Sequence, residues 1–224
     1  ISTGLTQGFS IQLSQYYGAK DFENLRKSLA HSYQLTAFIA AGVLILSQSF
    51  ASLVLTGLHT PSNIIGMSLL YLRIIFCGIP ATAAYNMFAS ALRAMGNSKT
   101  QLTAMIIASV LNVSLDILFV AGFGWGVAGA AIATVIAQSF SAVYCFLILR
   151  RIDIVHLTRA DFMPASGMNA RLMKLGIPVV FQNIIIGVGG LVVQYMINGY
   201  GFLFVAGFTA TNKLYGLLEM AAIS

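Results

Sequence analysis

Between Lys99 and Arg150 the chain carries a single charged side chain, Asp116. The stretch around it, Gln101–Gly122 (QLTAMIIASVLNVSLDILFVAG), is an apolar run of roughly the 20 residues that a helix needs to cross a bilayer. Similar runs recur along the chain, and they constrain the fold more than any other feature. Inside hydrocarbon every backbone N–H and C=O must find its partner within the protein, which leaves helices or a closed barrel. The runs show no period-2 alternation, so helices are expected. Composition agrees: 58% of the 224 residues are hydrophobic and 8% charged, with mean hydropathy +0.86, against roughly 25% charged in soluble domains. The expected fold class is an all-α integral membrane protein, a polytopic helix bundle.

Taken in order, Ile1–Tyr17 reads as the end of a spanning helix, with Gly4 and Gly8 as a small-xxx-small pair for close packing. Gly18–Ser32 reads as a charged loop with a short surface helix, and Gln34–Gly57 as the next span. His59–Asn63 is a turn around Pro61. Ile64–Leu92 is a long helix broken near Gly78 and Pro80, since proline frees a carbonyl and kinks a helix. Arg93–Thr100 is a tight basic turn. After the central helix comes a Gly-rich turn, Gly122–Gly129, with Trp125, and then an Ala-rich helix, Gly126–Leu149. Arg150–Lys174 is polar and reads as a connector. Leu175–Tyr200 is a further span, and Phe202–Ser224 opens the last one. Residues 1–149 and 175–224 are thus expected to belong to two membrane lobes joined by 150–174. With no initiator Met and an apolar run still open at Ser224, the sequence reads as a fragment of a longer chain. Cys77 and Cys145 sit in apolar runs without metal spacing, and small buried hydrophobes are their expected role.

Loop charge gives the orientation. Segments 18–33, 93–100 and 150–174 hold ten of the twelve Lys and Arg residues, while the intervening loops 58–63 and 122–125 hold none. Basic loops stay in the cytoplasm. The +6 charge is explained in this way and needs no nucleic-acid partner. A multi-pass protein of the cell membrane is expected, with the lipid bilayer as its partner and no obligate protein partner.

An acid at mid-bilayer costs roughly 2.5–3.5 kcal/mol on insertion scales, so Asp116 is a functional-site candidate by default. Asn112 lies four residues before it and Ser109 seven before it, on the same helical face. An acid among neutral oxygen donors suits a proton or a small hard cation. The alternative is a neutral structural acid hydrogen-bonded to a neighbouring helix. Other polar stripes are candidates for a cavity lining. Thr134, Gln138 and Ser141 share a face, as do Asn183, Gly187, Gly190, Gln194 and Asn198, while Glu219 is a second acid in an apolar segment. Arg73 either snorkels to the surface or pairs inward. The three His residues, 31, 59 and 156, fall in or beside loops without ligand spacing, which speaks against a structural metal or an intramembrane enzyme.

Three stretches resemble the multidrug and toxic compound extrusion family of secondary transporters. They are YLRIIFCGIPATAAYNMFASALRAMGNSKTQ (71–101), NVSLDILFVAGFGWGVAGAAIATVIAQ (112–138), and KLGIPVVFQNIIIGVGGLVVQYMINGYG with the following FVAGFTATNKLYGL. Together with SQYYGAKD (14–21) they cover nearly the whole chain. The resemblance implies twelve helices in two six-helix lobes, with this chain running from the second helix into the eighth. It implies an antiporter that exports amphipathic, often cationic compounds by alternating access. Sodium or proton entry drives the export, with no cofactor beyond that coupling ion. In one branch of the family an Asn and an Asp four apart form the cation or proton site, matched here by Asn112 and Asp116, with Thr134 and Tyr71 matching a Thr and a Tyr of that site. Another branch places a Glu in the seventh helix; here Gln182 and Asn183 stand in that region, leaving Glu219 as the remaining acid. A related architecture, the lipid-linked saccharide flippase, needs several basic residues for pyrophosphate, and here Arg73 and Lys213 are those lying away from the basic loops.

Overall fold

A computed structural model of the chain describes residues 2–57, 64–163 and 167–198, together with 208, 211 and 212. Seven α-helices follow one another: α1 (Ser2–Gly18), α2 (Phe22–Gly57), α3 (Ile65–Cys77), α4 (Ile79–Ala94), α5 (Ser98–Asp116), α6 (Gly126–Arg150) and α7 (Met168–Asn198). A π-helical stretch, Ile117–Gly122, continues α5, and two 3₁₀ turns, Asp153–Val155 and Arg159–Phe162, separate α6 from α7. Among the described residues there is no strand. Among the described residues, five helical stretches are long and apolar enough to cross a membrane: Phe22–Gly57, Ile65–Ala94, Ser98–Gly122, Gly126–Arg150 and Met168–Ile197. Large apolar side chains point outward from them, Phe38 being 81% exposed and Val110 63%. So much uncovered apolar surface suits lipid rather than water. This is a multi-pass α-helical membrane protein.

The chain divides into two compact units, Ile1–Val180 and Phe181–Ser224. In the first, α6 packs against α3, α4 and α5. Its Ala131, Ala133 and Ala137 are buried and let the neighbouring backbones come close. Ordered side-chain packing concentrates at the basic end. There Leu13 of α1, Leu25 and Leu29 of α2, Leu92 of α4, Leu149 of α6 and Leu172 of α7 join one buried cluster.

Two glycines fix how closely helices approach. A Cβ on Gly8 would stand 2.3 Å from the Gly176 Cα and 2.7 Å from the Leu175 carbonyl oxygen, so α1 and α7 cross backbone against backbone. Leu5 and Phe9 of α1 close over Gly176. Gly78 separates α3 from α4, with Pro80 in the first turn of α4. A Cβ there would meet the Val135 side chain at 2.8 Å, so the expected break is a bend packed onto α6.

Several sequence expectations change. The charged stretch 18–32 is not a loop before the span. Helix α2 starts at Phe22 and runs unbroken for 36 residues. Its start is set by Asp21, whose Oδ1 accepts the Asn24 backbone N–H at 3.2 Å. His31 is accordingly buried inside α2, 2% exposed, with its Nε2 3.1 Å from the Met163 carbonyl oxygen. The basic turn shortens to 95–97, because Asn97 caps α5 through the Thr100 N–H and places Lys99 in the first turn. Helix α7 begins at Met168, so Arg171 and Lys174 lie on a helix. Cys145 is buried as expected but Cys77 is exposed, its Sγ accepting from the Gln48 amide at 3.3 Å.

The expected connector is folded onto the first unit along its described part. The Asp161 Oδ2 accepts both the backbone N–H and the hydroxyl of Thr158, at 2.7 and 2.8 Å, forming a capping box. Burial pushes the Asp161 carboxyl up, but the two Thr158 bonds and the nearby Arg26 and Lys27 outweigh it and hold it below the ordinary carboxylate value. The same segment meets α2 where the Gln34 amide donates to the Phe162 carbonyl at 3.3 Å. The turn at 58–63 and most of 199–224, including Glu219 and Lys213, lie outside the described residues.

Candidate ion and substrate site

Helices α4, α5 and α6 border a half-open cavity of about 270 Å³. Tyr85 lines it from α4, Met105, Ser109 and Asn112 from α5, and Thr134, Gln138 and Ser141 from α6. Helical spacing explains the grouping. Ser109 and Asn112 are three apart on α5, and Thr134, Gln138 and Ser141 are four and three apart on α6. The two helices are tied at this point, the Asn112 Nδ2 donating to the Thr134 Oγ1 at 3.3 Å, while that hydroxyl donates to the Ala130 carbonyl at 3.0 Å. Lower down, the Ser141 hydroxyl bridges to the Ala104 carbonyl of α5 at 3.4 Å.

Two buried polar atoms on α5 and α6 lack partners, one on Gln138 at the cavity and one on Asp116, which is not part of its lining. The Gln138 Oε1 and the Asp116 Oδ1 are buried and accept no hydrogen bond among the described residues. A buried acceptor left empty costs about 1–3 kcal/mol, more for a charged group, so such atoms need a reason. Asp116 stands one turn beyond Asn112 on the same face of α5, about 6 Å further along the axis. It is the last α-helical residue before the π-helical stretch Ile117–Gly122, where the Phe123 N–H reaches back to the Leu118 carbonyl at 2.9 Å. Such π-bulges occur often at functional sites. Beyond it Phe119 stacks on Trp125, ring centroids 5.1 Å apart, and Gly129 packs beneath both.

The other sequence candidates are placed as follows. Tyr71 is exposed on α3 and does not line this cavity; Tyr85, passed over in the sequence, does. Arg73 is exposed, and among the described residues no carboxylate pairs with it. Asn183 is exposed on the part of α7 that belongs to the second unit, where nothing stands within 4 Å of a Cβ built on Gly187 or Gly190. Gln194 and Asn198 are described by their helical backbone, and Glu219 lies outside the described residues. No group of three or more His, Cys, Asp or Glu side chains suited to a metal ion occurs among the described residues.

The chain is thus a bundle of helices fit to span a membrane, with a polar, uncharged cavity between α4, α5 and α6. The family model described as MatE matches residues 1–118, and the chain belongs to that family. It is 31% identical over 221 residues to the "Probable multidrug resistance protein YpnP" of Bacillus subtilis, covering 99% of this chain and 49% of that protein. It is 24% identical over 216 residues to the "Multidrug export protein MepA" of Staphylococcus saprophyticus, covering 95% of this chain and 48% of that one. The crystal structure of a MATE in the bent conformation shares the fold, with a TM-score of 0.86 at 23% identity over 96% of this chain and 49% of that chain. The chain spans about half the length of the curated relatives it matches.

Proposed function

We infer that this chain forms part of a cation-coupled exporter of amphipathic, often cationic compounds, with Asp116 as the group that takes up the coupling ion. The observation that carries this reading is the buried, unpartnered Oδ1 of Asp116, one turn from the Asn112–Thr134 link between α5 and α6. Proton or sodium uptake would neutralise the acid and supply what that oxygen lacks. Because Asp116 borders the π-helical stretch, a change in its charge acts where α5 departs from regular α-helical register. The two states then differ in how α5 packs on α6, which is what ion-biased alternating access requires. Membership of the MatE family and similarity to proteins named for multidrug resistance and export support this reading.

The cavity favours a drug-like cargo over a lipid-linked saccharide. Its lining holds Tyr85, Met105 and several amide and hydroxyl groups but no Lys or Arg to receive a pyrophosphate. We read the protein as a transporter whose site chemistry is binding and ion exchange, as its similarity to proteins named for multidrug resistance and export supports. Segments 1–149 and 175–224 would belong to separate lobes, with 150–174 between them on the cytoplasmic side. Asp116→Asn in the intact transporter is expected to abolish drug resistance in a hypersensitive cell while membrane expression stays normal. Normal resistance from that variant would refute the assignment.

A further inference from the structure

On another face of α2, α4 and α6 from the cavity just described lies a second feature, which shares no residue with it. Between α2 and α4 runs an apolar groove of about 370 Å³, walled by Ala37, Ala40, Leu44, Ala83, Met87 and Phe88. At Tyr33 and Phe146 it meets a more polar recess of about 350 Å³, whose rim carries Arg150 and His156. A third trough of about 380 Å³, apolar but for Ser139, lies along α4 and α6 beside the same aromatics, Phe88 and Phe146. The ridge between the two apolar channels is a row of rings, with Tyr33 edge-on to Phe88 at 5.4 Å and Phe88 against Phe146 at 5.3 Å. Two apolar channels that converge toward one cationic rim have the shape of a two-chain amphiphile.

Two independent features point to a ligand there. Thr36, 8% exposed, lines the groove, and its hydroxyl bonds to nothing among the described residues, not even the carbonyl one turn back. At the rim Arg150 is exposed and has no carboxylate partner among the described residues. The two acids of the same segment have other neighbours. Asp161 is engaged by Thr158, and Asp153 lies 3.8 Å from the His156 Nε2. The rim belongs to the basic end of the molecule, where segment 150–174 carries five Lys and Arg against two Asp. Basic pockets between helices on the cytoplasmic side are suited to anionic lipid headgroups.

We propose that this composite groove is a binding site for an anionic phospholipid of the cytoplasmic leaflet. The phosphate sits at Arg150, and the acyl chains lie on either side of Phe88 and Phe146. The lipid is a bound component of the α2–α4–α6 face and not the exported cargo.

The test uses the intact transporter, purified and reconstituted with phosphatidylglycerol or phosphatidylcholine carrying the same photoactivatable acyl chain, and peptide mapping after irradiation. The expected result is labelling concentrated in residues 33–44 and 80–88. It should be about fivefold stronger with phosphatidylglycerol, fall about fivefold in Arg150→Gln and return in Arg150→Lys, as the loss of one basic residue at an anionic surface predicts. Equal labelling by the two lipids, labelling spread evenly over all helices, or no change in Arg150→Gln would overturn the proposal. So would an unlabelled groove, which would mean that a protein segment fills it.

Discussion

Replacing Gly8 by alanine tests the tightest contact in the first unit. The added Cβ would sit 2.3 Å from the Gly176 Cα and 2.7 Å from both the Gly176 nitrogen and the Leu175 oxygen. All three are backbone atoms, so no rotamer change relieves the clash. An ordinary contact starts at 3.4 Å, so α1 and α7 must part by about 1.1 Å at the crossing. Parting them also loosens Leu5 and Phe9, which now lie 3.0 and 3.2 Å from the Gly176 Cβ position. Overpacking costs typically 1–3 kcal/mol, and a backbone-to-backbone clash belongs at the upper end. At about 3 kcal/mol, the midpoint of thermal unfolding in detergent should drop by roughly 6–10 °C for a chain of this size. Gly42→Ala is the control. It lies in α2 with nothing within 4 Å, and alanine there gains helix propensity at no steric cost. If Gly8→Ala melts where Gly42→Ala does, the close crossing of α1 and α7 is wrong.

Three further outcomes are expected. Gln138→Leu removes a buried acceptor that bonds to nothing, so thermal stability should hold or rise, while drug binding measured by fluorescence falls; a large loss of stability would mean that the amide is structural. Thr134→Val deletes the acceptor of the Asn112 amide, and ion-dependent quenching should need a severalfold higher ion concentration, with an unchanged dependence counting against the α5–α6 link. Asp161→Asn should loosen the 150–163 segment, read as faster proteolysis there, by about 1 kcal/mol for a lost cap. Because the Asp161 carboxyl is held below its ordinary value of 3.8, its contribution is full above that pH and disappears as pH falls through the lowered value. The protease sensitivity of wild type and variant should therefore converge in strong acid and differ at neutral pH.

Much of this was legible in the sequence, and the rest had physical reasons for staying hidden. Helix positions followed from hydrophobic run length, and the break at Gly78 from Pro80. Spacing was enough to put Asn112 with Ser109, and Thr134 with Gln138 and Ser141, since helical periodicity fixes a face. It could not say that those two faces meet, which depends on the small residues that bring α5 against α6. The charged residues at 18–32 suggested a loop because charge usually marks one, yet α2 takes up the stretch from Phe22 on and buries His31 against the connector. Tyr85 escaped notice because a lone aromatic in an apolar helix looks like core. The π-helical stretch after Asp116 leaves no signature in ILFVAG, because backbone register is set by packing and not by composition.

The central claim is that ion uptake at Asp116 drives export. Drug flux from vesicles containing the intact transporter, under an imposed sodium or proton gradient, tests it most directly when wild type and Asp116→Asn are compared. The account predicts that one of the two gradients accelerates wild-type flux, and that Asp116→Asn binds drug but ignores either gradient. Gradient-driven flux undiminished in Asp116→Asn would contradict it.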